Sequence, residues 1–148
     1  QLWLSRERPK SIDRDALTSG QIRAKHEPYF QLIESHVKEL NTRIPAAKIA
    51  IVPSGEAVMA LRDKVIKGEA PGIRTQNELF TDALGHPGPQ IRVLSAYCHF
   101  SVIYRRSPVG LPVVSQLTKL PEAEKLNRVL QQIAWKAVTG HPMSGVAK

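Results

Sequence analysis

Asp82 and His86 stand four positions apart in the stretch FTDALGHPGPQ, residues 80–90. An aspartate that accepts a hydrogen bond from an imidazole fixes the ring's tautomer and stabilises its cation. That is the acid–base half of a serine-hydrolase triad. The same residues also make ordinary turn and cap chemistry, because Asp, Gly and Pro are common at a helix entrance. Residue types alone leave both readings open, and the surrounding elements have to decide.

Other residues with chemical potential carry less. Ser54 follows a strand-like run and precedes a helix, as a nucleophile can, but VPSGEA lacks the Gly-x-Ser-x-Gly elbow and a helix N-cap is the better reading. His26, His36, His86, His99 and His141 show no metal-ligand spacing, so neither a metal nor a cofactor is expected. His36 reads as a helix-face residue and His99 as a packed core histidine. Trp3 and Trp135 are aromatic faces on which a sugar could stack, although Trp135 fits a core better. Arg105-Arg106 complements a helix C-terminus rather than holding a phosphate.

Composition narrows the classes. The chain has 148 residues, which suits one domain able to bury a core without staples. The single cysteine, Cys98, excludes an intrachain disulfide and a thiolate zinc site, and reads as a small buried apolar residue. No apolar run is long enough for a membrane span. The net charge is +8, but the basic residues are scattered and only 5% of residues are aromatic, which argues against a nucleic-acid stripe.

The elements that must position the pair follow from periodicity and punctuation. Residues 1–25 read as a polar arm or loop, and 26–148 as a single domain portion. A helix is expected over 28–43, with Pro28 in its first turn and Tyr29, Leu32, Ile33, His36, Val37 and Leu40 on one face. Lys48 to Val52 is a short β-branched run stopped by Pro53, which predicts one buried strand. A helix then starts at Ser54, with Glu56 in its first turn and Gly68 just past its end. Val58, Leu61, Val65 and Ile66 are its expected buried residues. A helical turn is expected near 75–80. A helix over about 89–106 is apolar nearly all round, which calls for cover on several sides. The last helix, about 121–139, carries a stripe through Leu126, Leu130 and Ile133. One strand cannot satisfy its own backbone groups, so neighbouring strands are required. With Gln rather than Met at position 1, this predicts the C-terminal part of an α/β domain.

The order KIAIVPSG, helix, an F-x-D…H loop, then a long helix ending in SPVGLP resembles the C-terminal half of SGNH/GDSL-type hydrolases, in an uncharacterised bacterial branch. The resemblance covers roughly residues 26–140, and the Asp82…His86 loop is its chemically specific part. It implies a flavodoxin-like three-layer α/β fold and hydrolysis of acyl esters or acetylated carbohydrates. His86 would be the general base for a serine, with Asp82 orienting it. It is compatible with a secreted or periplasmic protein, and no residue fixes the compartment. Two departures stand beside it. The family's usual spacing is Asp-x-x-His, whereas Ala83, Leu84 and Gly85 intervene here, and Gly85 would have to absorb the extra residue. The Gly-Asp-Ser nucleophile and the Gly-x-Asn-Asp oxyanion segment are missing and are expected upstream, in the missing N-terminal half of the domain. Hydrolysis needs both, so this chain alone is expected to be inactive. The alternative is a non-catalytic binding or structural module whose basic surface meets an anionic partner.

Overall fold

The structure, a computed structural model, describes residues 13–147. These fold into four helices: α1 (Ser19–Arg43), α2 (Ser54–Ile66), α3 (Pro89–Tyr104) and α4 (Ala123–Gly140). A 3₁₀ turn at Gln76–Leu79 lies between α2 and α3. No named β-strand occurs among the described residues, and the sole bridge joins Phe80 to Pro87.

That overturns the α/β, flavodoxin-like three-layer expectation. Residues 48–52 run without regular structure and pair with no strand. Their backbone groups find partners of another kind. Ile49 N–H donates to Asn41 Oδ1 at 2.7 Å, and Asn41 Nδ2 donates back to the Ile49 carbonyl at 2.9 Å. Ile51 N–H donates to the Met143 carbonyl at 2.9 Å. A side-chain amide from α1 and a turn after α4 thus do what sheet neighbours would have done.

The core is built mainly where α3 crosses α4, with α2 packed against both. Leu61, Leu94, Leu126, Leu130 and Val138 are fully buried there. Tyr97 on α3 donates its hydroxyl to Asn127 Oδ1 on α4 at 2.6 Å, and Asn127 and Gln131 both donate to the Leu111 carbonyl. This buried polar network pins the SPVGLP connection onto the helix pair, and every partner in it is satisfied.

Helix ends follow local chemistry. α1 begins at Ser19, inside the stretch read as an arm, because Thr18 and Gln21 form a capping box. Pro28 therefore lies inside the helix instead of opening it, and its missing N–H leaves the Ala24 carbonyl without its helical partner. Residues 1–12, including Trp3, lie outside the described residues. The N-cap of α2 is Pro53, with Ser54 as its first residue and no side-chain cap. Gly68 takes φ +70° just beyond α2, as its position predicts.

α1 departs most from expectation. Of its residues only Ile22 is buried, and it packs on α2 alone among the helices. Tyr29, Leu32 and Ile33, expected to face the core, are 64%, 53% and 52% exposed. Its inner face runs through the half-buried Phe30, Glu34, Val37 and Asn41, of which only Val37 belongs to the expected face. Phe30 lies so close to Gly55 that a Cβ there would stand 2.6 Å from the ring, so α1 and α2 touch where α2 has no side chain. Ile66, Ile103 and Tyr104 are exposed as well, so neither α2 nor α3 is covered to its end.

Candidate functional site

The loop carrying Asp82 and His86 follows directly from the 3₁₀ turn. Thr75 and Glu78 cap that turn with a box. Beyond it the chain doubles back: Gly88 N–H donates to the Leu79 carbonyl at 2.8 Å and Thr81 N–H to the His86 carbonyl at 2.9 Å. The loop is thus closed at its neck before any side chain contributes.

Inside it, Asp82 is the organising residue. Its Oδ1 accepts from Gly85 N–H at 3.0 Å and His86 N–H at 3.1 Å. Its Oδ2 pairs with His86 Nδ1. Gly85 sits at φ +95°, a conformation that costs glycine nothing, and this takes up the residue added to the Asp–His spacing. The His86 imidazole, followed by the two backbone N–H groups, holds the Asp82 carboxyl below the usual carboxylate range. With Nδ1 committed to the carboxylate, Nε2 is the ring's outward nitrogen, on a side chain 67% exposed.

Arg14 braces the loop from outside. Its guanidinium donates to the Ala83 carbonyl at 2.9 Å and lies 4.4 Å from the Phe80 ring centre. Asp15 accepts from Gln76 N–H at 2.6 Å, and the buried Arg62 donates to Gln76 Oε1 at 2.7 Å. An open depression of about 390 Å³ lies between Arg14, Asn77, Phe80 and Asp82.

A carboxylate at Nδ1 favours the tautomer that carries the ring proton there. By itself the pair lacks a nucleophile: no serine hydroxyl among the described residues is hydrogen-bonded to His86. With no sheet among the described residues, they offer no strand edge against which to place His86. The other sequence candidates are dispersed. Ser54 has a shielded hydroxyl without a hydrogen-bond partner among the described residues. It lies against Cys98, whose buried thiol is pushed up to about 12 chiefly by desolvation. His99 is exposed, not packed in the core, and its ring bonds back to the Ser95 carbonyl at 2.8 Å. His26 and His36 are exposed on α1, Trp135 is half-buried on α4, and Arg105 and Arg106 are exposed past the end of α3.

Spacing missed one group altogether. Glu34 of α1, Glu56 of α2 and His141 after α4 converge within 4.8 Å of one another. His141 is 6% exposed, and its Nε2 lies 3.3 Å from Glu34 and 3.7 Å from Glu56. Three separate elements supply these side chains, so no local pattern announces them. No protein-family model, curated protein or solved structure matches this chain.

Proposed function

We propose that this chain supplies the Asp82–His86 half of an ester-hydrolysing site, with the serine and the oxyanion donors contributed from outside its described residues. One observation carries the reading: beyond the Oδ1 bonds that close the five-residue loop, Asp82 spends its second oxygen on the His86 imidazole Nδ1, on a side chain 67% exposed. A simple turn needs only the Asp82 Oδ1 bonds. His86 would take the proton of the serine as it attacks the acyl carbon and return it to the departing alcohol. Acyl esters, including acetylated carbohydrates, are the substrate class.

The test is fluorophosphonate labelling and short-chain ester turnover by the full-length gene product. A labelled serine is expected, with turnover lowered about 10²–10⁴-fold by His86→Ala. Unchanged turnover in that variant overturns the reading.

A second reading, a non-catalytic binding module, is favoured by the exposed apolar face of α1 at Tyr29, Leu32 and Ile33. There His86→Ala leaves the protein's function intact, whereas Ile33→Glu removes it without lowering stability.

A further inference from the structure

Glu34, Glu56 and His141 have no part in the ester-hydrolysis reading, and they form a second concentration of titratable side chains among the described residues. The geometry points to a divalent transition-metal site of the zinc class, with Glu34, Glu56 and His141 as its three protein ligands.

Burial is the first argument. His141 is 6% exposed, and its Nε2 is sealed from solvent without a hydrogen-bond partner among the described residues. An orphaned buried ring nitrogen is costly and needs a cause. Both carboxylates face it, yet they stand off at 3.3 and 3.7 Å instead of accepting a hydrogen bond. Two ligands at about 2.0–2.1 Å from a tetrahedral zinc lie about 3.3 Å apart, so these separations suit an ion held between the groups. The three ligand atoms lie within 4.8 Å of one another, and the half-exposed glutamates can close the widest edge by a rotamer adjustment. One imidazole and two carboxylates suit zinc and its neighbours better than calcium or magnesium, which prefer oxygen alone.

Access and charge agree. A groove of about 590 Å³ reaches the three side chains from solvent. Two of the cations lining it are already neutralised, Arg23 by Asp63 at 3.3 Å and Lys64 by Glu69 at 3.2 Å. Three protein ligands leave a fourth position for water, the arrangement of catalytic rather than structural zinc.

The ring sets one condition. His141 Nδ1 accepts from Met143 N–H at 3.1 Å, which places the ring proton on Nε2. Zinc takes the Nε2 lone pair, the ring proton moves to Nδ1, and Met143 N–H loses its acceptor. With the Nδ1 proton then facing the Met143 N–H, the change costs about 5–150-fold in affinity, which metal binding must exceed. It also gives binding a signature: the Met143 amide must move.

The experiment titrates Zn²⁺ into the metal-free protein by calorimetry, with melting temperature and amide spectra followed in parallel. Expected are one ion per chain, a raised melting temperature and a shifted Met143 amide. Glu34→Gln, at a side chain 42% exposed, should keep the metal-free melting temperature and weaken binding at least about tenfold. Glu56→Gln should do the same. Absence of saturable binding overturns the proposal. So does zinc affinity unchanged in both variants, which would leave the cluster as a charge clasp between α1, α2 and the turn after α4.

Discussion

Three donors from one loop converge on Asp82: the His86 ring, the His86 amide and the Gly85 amide. Each favours the charged carboxylate, so its folded-state value falls below the ordinary 3.8. A depressed carboxylate stabilises the fold above its unfolded value and loses that contribution as pH falls through the lowered one. The His86 amide should therefore keep its exchange protection at neutral pH and lose it only in strong acid. Asp82→Ala should remove the protection of the His86 amide at every pH, while the Gly85 amide keeps its 3.2 Å bond to the residue-82 carbonyl, and amide exchange followed by NMR checks both. Cys98 makes the opposite case, since burial raises its thiol to about 12. It should be inert to a disulfide exchange reagent at pH 8 in the folded protein and react stoichiometrically after unfolding. Reaction at the rate of an exposed thiol in native protein would contradict its burial. The burial of Cys98 was legible in the sequence; the exposure of His99 beside it was not, because one helical step rotates a side chain by about 100°.

At the scale of elements, caps and breakers speak for themselves. The ends of α2 and α3, and the stripe of α4, follow from Gly68, Pro89 and the Leu126–Leu130–Ile133 spacing. Thr18 with Gln21 also signals the start of α1, and Pro28 draws attention away from it. The segment after α1 depends on a single side chain, because Asn41 both donates to and accepts from Ile49. Asn41→Ala should cost about 1–2 kcal/mol, the net worth of two exposed hydrogen bonds. It should also free the Ile49 amide to exchange while the α3 and α4 amides stay protected. Loss of protection throughout the molecule would mean that residues 48–52 are more central than their exposure indicates.

Across the whole molecule, stability rests on the α3–α4 seam. Leu130 is fully buried there, among Leu126, Ala134 and the α3 core. Leu130→Ala should destabilise by about 2–5 kcal/mol, measured by urea denaturation, whereas Leu32→Ala on the exposed face of α1 should fall within about 0.5 kcal/mol. If Leu32→Ala costs as much as Leu130→Ala, the outer face of α1 is covered in solution. No helix among the described residues is long and apolar enough to cross a membrane, as the hydropathy pattern of the chain indicates.

Read by itself, the sequence determined where α2 ends and α3 begins, that Cys98 is buried, and that Asp82 and His86 share one turn. All of these depend on neighbours within about four positions, where spacing is geometry. Only the tertiary structure decided what the β-branched run at 48–52 pairs with, which face of α1 stays open, and that Glu34, Glu56 and His141 meet. An apolar run such as Ile49 to Val52 states that its backbone needs partners, but not whether a strand, an asparagine or a loop carbonyl provides them. That choice belongs to packing between residues far apart in the chain, and among the described residues it left the four expected helices without the expected sheet.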